Sequence, residues 1–577
     1  MVLMVAMVIV KIIGFVYKLP LSNLLGEVGF GYFSGAYDIY TYFYAISMAG
    51  LPVAVARLIS EYVEANHLRN ALQVYKVAKK IFFITGIFST VLLAAIAVPY
   101  SNFTKAPMNY VSVLAIAPCV FFCCMMSAYR GFYQSLQNMI PTAVSQVFEA
   151  AGKLVFGLAF SYVIIEYGMD KYRAAPDGVA TIFGVEVTNE TQALSAIYPY
   201  SAAGAVFGVT VGSVLGLVYL MILHKRKAGT IFTREEILNS PAPESDKDLA
   251  KTLIKIAIPI AVGSIIFNIS NFIDNVSIRR RLVYALAQNA DVIKNMYADS
   301  FALTKTVDKD IPTFLFGIYN AILSYKGLIP SLLMTFGTSS VPALAASWSS
   351  GNIEKTKSTI TSIMRLTMLV ALPAGFGMAA LARPILEFVY IDLGSKPAYA
   401  YIGAPILALF GLGMALFSSV TPLTNMLQAV GRTDIPIKSV VVGSVVKVIL
   451  NYFLIGNPNI NINGAAIGSV VSYIIMFSFC FFALLKETKI KTDVMSVFIK
   501  PFVSAALCGV TAWALYGIVI KFVIDNNPIA LVASVGCGVV VYAVSLCILK
   551  GIAKDDVLML PKGEKIAQVL EKFKVLG

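Results

Sequence analysis

The chain has 577 residues, of which 58% are hydrophobic and 13% charged, with a formal net charge of +14 at pH 7. A soluble globular protein of this length does not carry so much apolar sequence, and apolar segments of about 20 residues recurring along the chain mark a polytopic membrane protein. The basic excess lies mainly between those segments, as in loops held at an anionic membrane face, and no zinc-finger spacing or compact basic domain points to nucleic acid.

Lipid offers the backbone no hydrogen-bond partners, so each span satisfies itself as a helix, and the alternation of a β-barrel is absent. The expected fold is all-α with about 14 transmembrane helices. Expected helices 1 to 6 cover Val2–Leu25, Phe30–Leu58, Ile81–Val98, Val111–Tyr133, Thr142–Ile165 and Leu194–Leu223. A hydrophilic linker runs from His224 to Lys251, and expected helix 7 is Leu253–Arg281. The mixed-charge segment Leu282–Ile311 is expected to be partly helical and outside the bilayer core. Helix 8, Pro312–Ala346, is expected to break near Gly327–Pro330. Helices 9 to 12 follow at Met364–Leu381, Ala400–Leu427, Ile437–Ile455 and Gly464–Leu485, then Val497–Ile520 and Ile529–Leu549. The N-terminal run MVLMVAMVIVKIIGF lacks a basic leader and a clear cleavage site, and reads as the first span.

Placing both termini in the cytoplasm puts the Lys/Arg-rich segments inside, among them Arg57–Lys80, His224–Lys251 and Arg432–Lys438. Arg279–Arg281 breaks that rule on the outer side, which points to function or a partner holding them. Asn189-Glu190-Thr191 spells a glycosylation sequon in an outward loop.

The chain repeats itself. Gly50-Leu-Pro-Val-Ala-Val-Ala resembles Ser340-Val-Pro-Ala-Leu-Ala-Ala, and Tyr133–Lys153 resembles Leu427–Lys447, pairing Gln134 with Gln428, Pro141 with Pro436 and Lys153 with Lys447. Six helices separate the copies, so the repeat is parallel, as in transporters built of two bundles around a cavity. The expected division is an N-lobe at 1–223, a cytoplasmic linker at 224–251, a C-lobe at 252–485, two further helices at 486–549 and a cytoplasmic tail at 550–577.

In helix 7, Ser264, Asn268, Asn271, Asp274 and Asn275 recur at spacings of three and four and share one face, closed by Arg279, Arg280 and Arg281. Two readings stand: a cavity wall for an anionic, hydrophilic cargo, or a polar face packed on another helix. Helix 1 adds Lys11, Lys18 and Ser22; helix 2 adds Asp38, a crowd of tyrosines at Tyr37, Tyr40, Tyr42 and Tyr44, and Arg57 at its inner end. Cations around such a cavity suit phosphate or pyrophosphate, while Lys18 and Arg57 could equally snorkel to the interface. Glu149 and Lys153, one turn apart, read as an internal ion pair. The seven cysteines lie in apolar runs without metal-ligand spacing, and with two histidines and no HExxH a zinc hydrolase is not expected. No P-loop or nucleophile elbow is found, so the chain reads as no enzyme, without cofactor, drawing energy from membrane potential or a Na+ or H+ gradient.

Three stretches resemble the MurJ/SpoVB-type polysaccharide exporters of the multidrug/oligosaccharidyl-lipid/polysaccharide (MOP) superfamily: Lys11–Glu61, Asn268–Leu282 (NISNFIDNVSIRRRL) and Thr335–Asn352 (TFGTSSVPALAASWSSGN). The branch is similar to the YtgP/SpoVB group. The resemblance implies 14 helices in two lobes, with helices 13 and 14 forming a groove for a lipid tail, in a bacterial cytoplasmic membrane. It implies a flippase for an undecaprenyl-pyrophosphate-linked saccharide, lipid II first, working beside cell-wall synthesis proteins; another lipid-linked polysaccharide unit and a MATE-like multidrug antiporter are the alternatives. In the family, basic residues of helices 1, 2 and 8 line the cavity. Lys11 matches a helix 1 position, Arg57, Asp274, Arg280 and Arg281 fit the pattern, and helix 8 offers only Lys326. The substrate-binding set is thus Lys11, Lys18, Asp38, Arg57, Asn268, Asn271, Asp274, Arg279, Arg280 and Arg281.

Overall fold

The computed structural model describes residues 2–48, 50–175, 179–304, 306–393, 396–490 and 493–551, with the backbone alone at 2–9, 11, 12, 15, 46–48, 228–230, 259–267, 269, 270, 332 and 334–343. Residues 552–577 of the expected tail lie outside the described set. By contact the chain divides into two compact units, one of residues 1–283 and 305–317, the other of 284–304 and 318–577.

The first unit begins with α1 (Val2–Met48), α2 (Leu51–Glu64), α3 (Leu68–Phe103), α4 (Asn109–Ser135) and α5 (Ile140–Arg173). A small antiparallel hairpin follows, β1 (Ala180–Ile182) with β2 (Val185–Val187), then α6 (Glu190–Ile231), α7 (Arg234–Asn239) and most of α8 (Asp246–Gln288). The second unit holds the end of α8, α9 (Ala290–Met296), α10 (Ala298–Thr304), the second half of α11 (Ile311–Lys326), α12 (Leu328–Ser349) and α13 (Ile353–Ala380). It continues through α14 (Ala382–Glu387), α15 (Pro397–Leu412), α16 (Met414–Ala429), α17 (Asp434–Gly456), α18 (Asn463–Thr488), α19 (Lys500–Phe522) and α20 (Asn527–Ile548). Among the described residues nine helices are long and apolar enough to cross a membrane, and α15 with α16, bent by 47° at their break, are so only when taken together. Expected helices 1, 2, 7 and 8 run through α1, α8, α11 and α12.

Several elements differ from the sequence expectation, each for a local reason. Expected helices 1 and 2 share α1, parted at Gly26, whose φ of 62° no helix residue adopts. Expected helix 2 then stops short of Leu58: Gly50, at φ 80°, turns the chain, and Pro52 in the first turn of α2 starts a new helix. Helix 8 breaks at Gly327 as expected, giving α11 and α12. The expected C-lobe start at 252 falls inside α8, and 252–283 belongs by contact to the first unit. The cause is chemical, since Asn275 and Arg279 are bonded to α1.

The linker is no free tether. Thr233 caps α7 with a reciprocal Glu236 bond, and the strap beyond it lies along α2 and α3. Arg69 Nε and Nη2 donate to the carbonyls of Ile237 (2.9 Å) and Leu238 (3.0 Å). Tyr62 Oη donates to Glu244 Oε1 at 2.6 Å, Glu244 N donates to Asn70 Oδ1 at 2.7 Å, and Lys80 Nζ meets Asp246 Oδ2 at 2.8 Å.

Glycine sets how closely helices approach in the first unit. Gly204, Gly208, Gly212 and Gly216 stand four apart on α6 and face the backbone of α5. A Cβ at Gly208 would lie 2.2 Å from Gly157 N, and one at Gly212 2.5 Å from Glu149 O. This is the small-residue seam of membrane helices, where packing rather than water exclusion holds the pair. Gly31 and Gly317 do the same for α1 against α11, facing Thr313 O and Glu27 O at 2.2 and 2.0 Å.

The repeat is legible in the turns. α4 ends with Gln137 at φ 56° and bonds from Gln137 N to Gln134 O (3.0 Å) and from Asn138 N to Tyr133 O (3.0 Å). α16 ends with Gly431 at φ 84° and bonds from Gly431 N to Gln428 O (3.1 Å) and from Arg432 N to Leu427 O (2.8 Å). The same left-handed stop thus sits at matching places of the two copies, and α5 and α17 start just after it.

Candidate functional site

The polar stripe of expected helix 7 meets α1 inside the first unit. Asn275 Nδ2 donates to Asp38 Oδ2 at 2.9 Å and to Tyr42 Oη at 2.7 Å, so both its amide hydrogens are engaged. Asp274, beside it, is buried; Asn268 is half-buried and Asn271 exposed. Packing against another helix, one of the two readings of the stripe, therefore holds for Asn275.

Arg279 is a strut. It is 4% exposed, its Nη2 donates to Gly31 O at 2.7 Å, and its guanidinium carbon lies 3.9 Å from the Phe316 ring centroid. Gly35 leaves the room: a Cβ there would stand 2.2 Å from Arg279 Nη2 and 2.7 Å from Asn109 Nδ2. Tyr100 Oη donates to Gly35 O at 3.1 Å and closes this pocket. Arg280 is exposed, 4.7 Å from the Phe103 ring, and Arg281 is half-buried. Neighbouring residues on a helix point about 100° apart, so the three arginines do not act as one cluster.

An aromatic ladder climbs the same helix. On α1, Phe30, Phe33, Tyr37, Tyr40 and Tyr44 follow one another with centroids 5.6, 5.6, 5.7 and 5.9 Å apart, Phe33 and Tyr37 stacked and the other pairs tilted. Against its middle lies Lys153, whose Nζ is 4.4 Å from the Tyr37 ring centroid and 5.0 Å from that of Tyr17. The expected Glu149–Lys153 pair is not formed. Glu149 Oε2 instead takes Arg130 Nη2 at 3.1 Å, and Ser145 Oγ accepts from Arg130 Nε at 2.9 Å. Arg130 reaches across from α4 in a bidentate-capable fork, which a lysine one turn away on the same helix does not match.

Of the remaining expected site residues, Lys18 is half-buried on α1. Arg57 is set apart on α2, exposed and paired with Glu61 at 2.7 Å. The side chains of Lys11 and Ser264 lie outside the described residues. The structure thus brings together Asp38, Asn275, Tyr42, Arg279 and Gly35 in one seam, with Tyr17 and Tyr37 of α1 and Lys153 of α5 as a second polar feature. Lys153 and the glycines were not picked out as site residues. Gly31 and Gly35 at a spacing of four on an apolar helix were the available signal.

Comparison with known proteins points one way. The family described as "Polysaccharide biosynthesis protein" matches residues 1–168, and the one described as "Lipid II flippase MurJ" matches residues 300–532. The lipid II flippase MurJ of Bacillus subtilis (strain 168) is 24% identical over 459 residues, 77% of this chain and 74% of that protein. Stage V sporulation protein B of the same organism is 23% identical over 575 residues, 97% of this chain and 96% of that protein. A solved structure titled lipid II flippase MurJ, inward closed conformation, superposes with a TM-score of 0.62 at 14% identity, over 95% of this chain and 98% of that one, and shares its fold.

Proposed function

We propose that this chain, which belongs with the MurJ/SpoVB-type exporters of the MOP superfamily, translocates an undecaprenyl-pyrophosphate-linked saccharide, lipid II first, from the inner to the outer leaflet. The observation that carries the proposal is the match to a lipid II flippase along 77% of the chain. The physical reading agrees with it. Ionisable side chains inside membrane helices are costly and are kept where they serve a polar cargo or an ion path. Here Asp38, Arg279 and Lys153 lie on or against spanning helices of one unit.

In this reading the pyrophosphate-sugar headgroup crosses by alternating access while the polyprenyl tail stays in lipid. The tail lies along α19 and α20, whose apolar side chains Trp513, Val532 and Ile548 are widely exposed. No cofactor takes part, and the drive is the membrane potential, ~2.3 kcal/mol per charge per 100 mV, or a Na+ or H+ gradient. Both termini are cytoplasmic in a bacterial plasma membrane, with cell-wall synthesis proteins as neighbours.

The match of residues 1–168 to the family described as "Polysaccharide biosynthesis protein" favours a second reading in which the cargo is another undecaprenyl-linked glycan. Complementation of cells depleted of their lipid II flippase, with outer-leaflet lipid II assayed directly, separates the two. Restored growth with surface lipid II supports the first reading. A protein present in the membrane that restores neither leaves the second.

A further inference from the structure

We infer that Lys153, framed by Tyr17 and Tyr37, is a phosphate-contacting residue of the N-terminal unit, reading the pyrophosphate of a lipid-linked headgroup; the inference rests on the translocation reading above.

The frame is built before any ligand arrives. Tyr17 is fully buried. Its ring passes over Gly157 on α5, where a Cβ would stand 2.6 Å from Tyr17 Oη, and that hydroxyl donates to Ala205 O on α6 at 3.4 Å. The glycine seam between α5 and α6 therefore positions the ring. Tyr37 is held from the other side, stacked on Phe33 at 5.6 Å and 14°. Lys153 lies across both faces, in the attractive range for an ammonium over an aromatic ring.

The charge itself is unspent. The ammonium has three donors. One points to Tyr37 Oη at 3.4 Å, a long bond. Glu149, its natural counter-ion one turn away, is taken by Arg130 at 3.1 Å, and no carboxylate of the described residues pairs with Lys153. Ring faces lower the cost of holding a cation in a membrane helix without neutralising it. The ammonium is half-buried rather than sealed off, and lysine binds phosphate as a point charge.

The same device recurs in the second unit. Lys326 Nζ donates to Tyr473 Oη at 2.6 Å and lies 5.3, 5.0 and 5.2 Å from the Phe410, Phe417 and Tyr473 ring centroids.

The test compares lipids that differ only in phosphate. The full chain in nanodiscs is titrated with undecaprenyl pyrophosphate and with undecaprenol, bound lipid being counted by native mass spectrometry. Wild type is expected to prefer the pyrophosphate. Lys153→Gln and Lys153→Met are expected to lose about tenfold of that preference while binding undecaprenol as before, and Lys153→Arg to keep most of it. If wild type shows no preference, the translocation reading fails and takes this inference with it. If wild type prefers the pyrophosphate and both neutral variants, folded by their thermal midpoints, prefer it equally, Lys153 is a packing residue only. If neither neutral variant folds, the preference of Lys153→Arg decides: kept, with a normal midpoint, it supports the charge reading; lost, it overturns it.

Discussion

Arg279 and Gly35 occupy a single space, for a methyl group on Gly35 would stand 2.2 Å from Arg279 Nη2. A guanidinium 4% exposed, bonded to Gly31 O and lying against Phe316, has nowhere near to go. Gly35→Ala should therefore cost about 1–3 kcal/mol through overpacking, read as a lower thermal midpoint of the purified protein. Arg279→Lys should not relieve it, because an ammonium lacks the planar fork that reaches Gly31 O while stacking on a ring. A Gly35→Ala protein with an unchanged midpoint would show that the guanidinium packs elsewhere.

Asn275 and Asp38 can exchange roles. Asn275→Asp would set two carboxylates 2.9 Å apart, which cannot both ionise in a buried seam. One must hold a proton, so the variant should be least stable and least active at alkaline pH and recover toward pH ~5 as the shared proton returns. Adding Asp38→Asn restores one amide and one carboxyl in swapped places, and the double variant should regain the wild-type pH profile. Thermal midpoints and transport taken across pH check both. A double variant no better than Asn275→Asp would mean the pair does not interact.

How much of this was readable beforehand depends on the kind of signal. Span and polarity patterns located the helices well, because apolar length is what the bilayer selects, and the break at Gly327 announced itself through glycine and proline. The break at Gly26 did not, since one glycine in an apolar run looks like any other until its φ of 62° is seen. The polar stripe led to Asn275 and Asp38. Periodicity alone could not say that Arg279 is a strut while Arg280 faces outward, because that follows from where Gly35 leaves space. Glu149 and Lys153 have the spacing of an ion pair, yet Arg130, from another helix, takes the carboxylate. Local spacing proposes partners, and tertiary neighbours outbid it.

The α5–α6 seam gives a prediction with its own control. A side chain at Gly208 would start 2.2 Å from the backbone nitrogen of Gly157, a group that cannot move aside without shifting a helix. Gly208→Val should lower the thermal midpoint sharply, beyond the ~1–3 kcal/mol of ordinary overpacking, and reduce expression. Gly536 on α20 has nothing within 4 Å of its would-be Cβ. Gly536→Ala should be neutral or stabilising by about 0.5–1 kcal/mol through helix propensity. Equal midpoints for the two variants would contradict the seam.

The strap over α2 and α3 is held at two ends by different chemistry, and they should let go under different conditions. At one end Arg69 donates to Ile237 O and Leu238 O, and an arginine does not titrate. At the other, hydrogen bonds from Lys80 and Gln73 hold the Asp246 carboxyl below its usual range. A depressed carboxyl contributes stability that is present above its unfolded pKa, ~3.9, and is lost as pH falls through the folded value. Acidification below pH ~4 should loosen the Asp246 end while the Arg69 contacts persist. Arg69→Ala should do the reverse at neutral pH: about 1–2 kcal/mol of local stability lost, after allowance for partial exposure, or roughly 5–30-fold faster exchange. Amide hydrogen exchange of 234–246, corrected for its intrinsic pH dependence, follows both ends at once. Uniform loosening by either treatment would mean that the strap opens as one piece and that neither end holds independently.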